Sequence, residues 1–552
     1  MTYRSSHLIV GSGASGVMAA LALSRRADQL VTIIDVGARL EPHLQQTVTR
    51  MSNQSEGAWA PEDLALVSTS PVAATKGSLP QKRTYGSAFP FRDHGQTTGI
   101  SGPPGANLDI VSAAYGGFTN VWGAQLMPFS PSTLRRWPVT WGEMEPHYRA
   151  VLDEVPLAAD EDDLAELFPI LNRRSGLPPL APRTSVVLER YARHRHELRR
   201  RGMTLGRARL AFQARDCVRC GLCMTGCPYG LIYSASQTLD KLRKLANVRY
   251  LDRMLVERVG QVGEEAFAQC QDLRTGERHE FRADRLFLGA GGIGSARLML
   301  GSLPEPPAQI DVAESVQFLV PFLSARPVED PRREGAQDFS LNQFNILLQF
   351  DDEGHDVSQV HCYPYNPAFF DALPAPLRWR AADGLATQVL RRLTVGLGYL
   401  PSWASPRMRL NYQPGPAGRL PDLSLSWVDS ESRPAMLGKV IRNLHRAAPR
   451  LDLWPVIHRI KLTGPGKSYH FGSSFPHRQH LSKEPGVTGT DRLGRVPDWD
   501  RVHLIDGSVL PTVPSTTFTL TVMTNAHRIA TEVLETGLTA DRGADATRHR
   551  SG

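Results

Sequence analysis

The chain has 552 residues, 41% hydrophobic and 21% charged, with 63 Lys+Arg against 55 Asp+Glu for a net charge of +8. That composition is globular and excludes collagen, coiled coil and wholesale disorder; six cysteines are too few for a disulfide scaffold. The basic excess is spread out, its densest run being the helix-like RYARHRHELRRR at Arg190–Arg201, so charge does not point to nucleic acid.

No stretch reaches the roughly 18 apolar residues of a membrane span. The N-terminus, MTYRSSHLIVGSG, shows no separate basic, apolar and cleavage regions. A cytoplasmic protein with reduced thiols is therefore expected.

In chain order, the apolar run His7–Val10 ends at Gly11-Ser-Gly13-Ala14-Ser15-Gly16, and Val17–Ser24 reads as a helix. A second β-branched run, Leu30–Ile34, closes on Asp35. Strand, glycine turn, helix, strand and acid in this order form the context that a dinucleotide fingerprint requires. Gly11 serves the turn, Gly13 the approach of a pyrophosphate, Gly16 the helix packing, and Asp35 accepts from a ribose hydroxyl. The motif alone does not separate FAD from NAD(P).

Gln54–Gly105 reads as long loops, and Tyr115–Ala124 (YGGFTNVWGA) as a tight glycine-aromatic cluster. Glu143–Val155 is expected to be helical, and Leu157–Pro182 is a Pro- and Arg-rich connector. Val248–Leu300 alternates as strands and contains Gly289-Ala290-Gly291-Gly-Ile-Gly294. Strands are expected at Gln343–Phe350 and Asp422–Trp427, and strand, turn and helix over Val502–Leu534. Asp541–Gly552 is expected to be a disordered tail.

Four cysteines fall in Cys217-Val-Arg-Cys220-Gly-Leu-Cys223-Met-Thr-Gly-Cys227-Pro228, which matches the bacterial ferredoxin run. An iron–sulfur cluster (4Fe-4S or 3Fe-4S) is expected there, with zinc as the alternative. Whether Cys227 joins a single cluster stays open; Cys270 and Cys362 are candidate outside ligands or small buried hydrophobes.

Together these motifs resemble the glucose–methanol–choline family of FAD oxidoreductases. Gly11–Gly16 is similar to its FAD fingerprint, Gly116-Gly117-Phe-Thr-Asn120-Val121-Trp122-Gly123 to its second flavin loop, and Ala290-Gly291 to a later turn on the adenosine side. Ser468-Tyr-His470-Phe-Gly472 resembles the segment presenting the catalytic histidine, and Asp506-Gly507 with Thr517–Arg528, including Thr519, the last flavin-binding turn and helix. Thr517 stands where the family usually has His or Asn. The cysteine run narrows the resemblance to flavin subunits of iron–sulfur sugar and polyol dehydrogenases and to flavoproteins of glycan and aminoglycoside pathways.

The resemblance implies an α/β architecture, a Rossmann-like FAD-binding domain with a β-rich (α+β) substrate domain. The expected layout is 1–156 and 211–300 for the first two FAD-binding parts, the second carrying the cysteine loop. A connector or helical segment is expected over 157–210, a substrate domain over 301–462, a third FAD part with the catalytic segment over 463–540, and the tail over 541–552. It also implies oxidation of a hydroxyl on a sugar, polyol or aminocyclitol, His470 acting as base and electrons leaving through the cluster to a protein or quinone-linked acceptor. His477 and His480 are the alternative bases. His527 is expected to pack or lie on polar surface, His361 to be structural with lining of the substrate pocket as the alternative, and Trp122 and Trp137 to wall the flavin or pack in the core. The competing functions are an NAD(P)H-linked reductase, from the second glycine motif, and a non-catalytic electron-transfer flavoprotein.

Overall fold

The computed structural model describes residues 2–68, 82–172, 174–333, 338–351, 357–366, 374–415, 419–464, 466–482, 484 and 486–548. One sheet is built on the strand Thr2–Val10, flanked in parallel by Val31–Ile34 and by the long strand Arg278–Leu288. Val248–Leu251 extends it beyond Val31–Ile34, and Val502–Leu504 pairs in parallel with the end of Arg278–Leu288. The first half of that long strand also carries the antiparallel ribbon of Glu265–Asp272 and Met254–Val262.

The helix Ala14–Leu23 is made of strong helix formers and packs between this sheet and the C-terminal helix Thr519–Arg548. Val17, Met18 and Leu23 are fully buried. A helix covered on both sides needs no polar face, which is why its hydrophobic residues run all round it. That long C-terminal helix continues through 541–548, where a disordered tail was expected; Ala540, Arg542, Ala544 and Ala546 are residues of good helix propensity. Residues 549–552 of the expected tail lie outside the described residues.

Two further sheets form the second half of the molecule. A five-stranded sheet contains Gln309–Glu314, Arg407–Gln413 and Asp422–Val428. A seven-stranded sheet runs in the order Trp454–Pro455, Gln317–Leu323, Leu393–Tyr399, Val357–Tyr363, Phe344–Gln349, Met203–Arg207, with Lys461–Leu462 also on the Gln317–Leu323 edge. The 203–207 strand comes from the stretch expected to be a connector. Alternation decides what each face of this sheet does. Phe318, Val320 and Phe322 pack in one core with the helices Pro182–Arg200 and Arg433–Leu451. Gly396 and Gly398 make room for them: a Cβ at 398 would lie 2.0 Å from the Phe318 ring. The opposite face looks into a cavity. Among the described residues, no helix is long and apolar enough to cross a membrane.

Candidate active site

A cavity of about 1530 Å³ lies at the carboxyl ends of the parallel strands and extends to the inner face of the seven-stranded sheet. Ligands of open α/β sheets bind at such strand ends. The turn after Val10 needs glycine for a specific reason. Gly11 has φ +94°, and a Cβ there would sit 2.6 Å from the Gly289 carbonyl oxygen, so the two glycine motifs meet in one place. Gly13, by contrast, has nothing within 4 Å of where its Cβ would be, and lines the cavity with Ala14 and Ser15. The helix Ala14–Leu23 thus presents its free N–H end to open space, the arrangement that receives a pyrophosphate.

Asp35 ends the second strand and faces the same cavity. It accepts hydrogen bonds from the Ser12 hydroxyl and from the N–H groups of Val36 and Gly37, yet burial pushes its pKa up to about 7. A carboxyl this dry, beside an open nucleotide cradle, suits a ribose hydroxyl. Ala290, Gly291, Asp506 and Gly507 border the cavity from the other side. Asp506 accepts from Ser295 Oγ at 2.5 Å and from the Ser508 N–H at 2.9 Å, and burial raises its pKa. Gly117, Val121 and Thr519 complete the expected set that reaches the wall. This chain's residues therefore fit a bound FAD.

Gly16, Gly116 and Asn120, also expected to bind cofactor, stand outside the wall. A Cβ on Gly16 would meet the Gly11 oxygen at 2.0 Å, and one on Gly116 the Ser236 nitrogen at 2.8 Å, so both are packing positions. The Asn120 amide donates to the Tyr115 and Gly117 carbonyls at 3.0 and 2.7 Å and accepts from Ser234. It holds the flavin-type loop in shape.

At the inner end, His470 lines the cavity, stacked on Tyr399 with centroids 4.4 Å apart and edge-on to Phe518 at 5.1 Å. Its Nδ1 is buried without a partner, and burial lowers its pKa to about 4. Thr517 borders the same space, and its Oγ1 is also buried and unpartnered. Two polar atoms so placed are costly unless a bound molecule completes them.

The alternative bases are elsewhere. His477 is buried between Thr490 Oγ1 and Asn525 Nδ2, each 3.0 Å away, and His480 is exposed. His527 is buried against His147, with Nδ1 atoms 2.9 Å apart. Trp122 lines the cavity and donates to the Tyr233 carbonyl, whereas Trp137 packs edge-on to Phe129 in the core.

His361, expected to be structural, is on the cavity wall. Its ring is 5.2 Å from Tyr399, on whose ring His470 is stacked, and its Nε2 lies 3.4 Å from Gln125 Nε2. The Gln125 amide nitrogen also donates to Asn345 Oδ1 at 3.1 Å. Burial, then the nearby His470, lowers the His361 pKa to about 3. Tyr399, Gln125 and Gln317 were not singled out by sequence. The LTVGLGY alternation around Tyr399 was the signal available.

The cysteine loop borders this cavity too, through Gly221, Leu222, Met224 and Thr225. Gly226 lets the Tyr85 ring cover the loop: a Cβ there would be 2.6 Å from the ring, and the Tyr85 hydroxyl donates to the Cys227 carbonyl at 2.7 Å. Backbone N–H groups point at the sulfurs: Arg219 at Cys217, Leu222 at Cys220, and Leu231, Tyr229 and Ile232 at Cys227. Burial, reinforced by the neighbouring thiols, pushes Cys217 up to about 11 and Cys220 to about 12. Among the described residues no group of three or more His, Cys, Asp or Glu, the four cysteines of this loop included, is arranged to hold a metal ion. Cys270 and Cys362 are buried in two other cores, where their thiols face the His279 and Val360 carbonyls. They are packing residues.

No family model matches the sequence, and a search of curated proteins finds no match. The fold is a two-part α/β one, a mostly parallel sheet with the glycine-rich cradle at its strand ends facing a β-rich unit. Among solved structures, the chain is similar to pyridoxine 4-oxidase from Mesorbium loti, with a TM-score of 0.57 and 14% identity over 96% of this chain and 98% of that one. That likeness concerns the fold.

Proposed function

We propose that this chain is an FAD-dependent oxidoreductase acting on a CH–OH group. The observation that carries it is that the dinucleotide cradle, His470 and Thr517 line one cavity, the last two each with a buried polar atom that no protein group partners. When bound, FAD supplies the acceptor for the hydride leaving the carbinol carbon, which with loss of the hydroxyl proton turns the alcohol into a carbonyl.

The chain's own residues handle that proton. Burial holds His470 neutral at physiological pH, so the imidazole has a free lone pair to take it. Tyr399 and Phe518 fix the ring plane. The Thr517 hydroxyl donates to the substrate oxygen, and is too weakly basic to replace His470. His361 lines the same wall. The Gly289–Gly294 motif does not start a second nucleotide unit: it abuts Gly11, and the next strand, Gln309–Glu314, joins the five-stranded sheet antiparallel to its neighbours. This disfavours the NAD(P)H-linked reductase, and the presence of His470 and Thr517 together on the cavity wall disfavours a non-catalytic carrier.

The proposal includes an iron–sulfur cluster on Cys217, Cys220, Cys223 and Cys227, which would supply one-electron exit to a protein or quinone-linked acceptor. The N–H groups directed at the sulfurs and the loop's place on the cavity wall support it. Released flavin, iron and acid-labile sulfide per chain, measured on anaerobically purified protein, test this. FAD with matching iron and sulfide is expected. FAD without iron after reconstitution removes the electron exit and leaves alcohol oxidation; failure to bind FAD removes the whole reading.

A further inference from the structure

The cavity wall facing the FAD cradle changes character along its strands. In the antiparallel pair of Gln317–Leu323 and Leu393–Tyr399, Gln317 stands opposite Tyr399, Leu319 opposite Leu397, Pro321 opposite Val395 and Leu323 opposite Leu393. All four pairs border the cavity. The first is polar, Gln317 Nε2 donating to the Tyr399 hydroxyl at 2.7 Å, and it adjoins His470. The next three present only hydrocarbon. At about 3.3 Å per residue, this floor runs roughly 20 Å from Tyr399 to Leu393. Leu377, Val389 and Val456 add further apolar lining.

Charge sharpens the picture. Among the described residues, the acidic ones on the cavity wall are Asp35 and Asp506, both in the nucleotide half. The open edge beside the apolar floor carries exposed His458, Arg459 and Lys461. The same flanking segments turn Trp379, Leu385 and Ile457 outward to solvent. A polyol lying on the ladder from Leu319 and Leu397 to Leu323 and Leu393 would leave the hydroxyls that face it without partners, and among the described residues of the wall no carboxylate stands beside that ladder to receive the ammonium groups of an aminocyclitol.

We propose that the substrate is an alcohol whose carbinol carbon heads an extended apolar body, an aliphatic chain or a fused-ring hydrocarbon. The head sits between His470, Thr517 and His361, and the body lies on the ladder from Leu319 and Leu397 to Leu323 and Leu393. This deepens, and rests on, the alcohol-oxidation reading of the same site, and it replaces the sugar, polyol and aminocyclitol expectation.

The test uses the full-length, FAD-loaded protein under anaerobic conditions. Flavin bleaching is followed with primary butanol, hexanol, octanol and decanol, with a decalin alcohol, and with glucose and myo-inositol. In parallel, decanol binding is read by thermal shift and fluorescence titration, without turnover. Bleaching efficiency should rise about two- to fourfold per methylene as successive CH₂ groups are buried, and Leu397→Asn should flatten that slope. Decanol ahead of the decalin alcohol assigns a chain, and the reverse a fused ring; either supports the proposal. Saturable decanol binding with no alcohol bleaching the flavin upholds the apolar subsite while sinking the oxidation reading. Glucose or inositol matching decanol, a flat chain-length series, or no decanol binding overturns the proposal, whatever becomes of Leu397→Asn.

Discussion

Replacing His470 by Gln removes the proton acceptor while keeping a side chain of similar bulk against Tyr399 and Phe518. Positioned general-base catalysis contributes about 10²–10⁴-fold, and its efficiency follows the base strength. Burial lowers the His470 pKa from 6.5 to about 4, which weakens it as a base. The effect should therefore fall in the lower part of that range, about 10²–10³-fold in kcat, or roughly 3–4 kcal/mol of barrier. Loss of the stacked ring costs about 0.5–1.5 kcal/mol of packing, too little to unfold the protein or release the cofactor. The assay is dye-coupled turnover of the alcohol that bleaches the wild-type flavin fastest, with FAD content measured on both proteins. The pH profile provides a second readout. His470 accepts a proton only while neutral, so wild-type activity should hold as pH falls past 6.5 and decline toward the lowered pKa, whereas the His470→Gln variant has no such limb to lose. A variant with full FAD and turnover within fivefold of wild type would refute the assignment.

Asp35→Asn should weaken FAD binding by about 10–150-fold, the worth of a hydrogen bond to a charged group, as read by titration of the flavin-free protein; for wild type, affinity should drop as pH falls below about 7, because the raised pKa protonates the carboxylate that the ribose hydroxyl needs. Gly398→Ala should destabilise by about 1–3 kcal/mol, since its Cβ would overlap the Phe318 ring, and Phe318→Leu should recover part of that loss in a double-mutant cycle of denaturant midpoints. Buried His361, His477, His503 and His527 have pKa values lowered to about 3–4, so the unfolded chain binds more protons below 6.5. Their stabilisation is complete above 6.5 and is lost as pH falls toward 4, each adding about 1.4 kcal/mol per pH unit, which chemical unfolding across that window checks. Cys220→Ser should lower iron content while leaving FAD bound; unchanged iron would remove Cys220 from the proposed ligands.

Much of the nucleotide half was legible because its chemistry is local. The strand to Val10, the Gly11–Gly16 turn, the alanine-rich helix and Asp35 follow one another in sequence and touch one another in space. His470 and Thr517 were found through motifs and come together on the cavity. The substrate wall was not legible, because it arises from pairing Gln317–Leu323 with Leu393–Tyr399, some 70 residues apart, and neither run reveals its partner. His361 was discounted for a similar reason: all seven residues of VSQVHCY are buried, so no alternation marks the face that meets the cavity. Asn120 misled in the opposite way, since the tight turn at Gly116 and Gly117 uses its amide to hold backbone carbonyls.

The central claim is alcohol oxidation by FAD held in this cavity. Its most direct test is the absorbance of the FAD-loaded protein, without oxygen, after adding primary alcohols and, separately, NADPH. An alcohol should bleach the flavin and yield the carbonyl product, with NADPH inert. A flavin that stays oxidised with every alcohol, or that only NADPH reduces, would contradict the account.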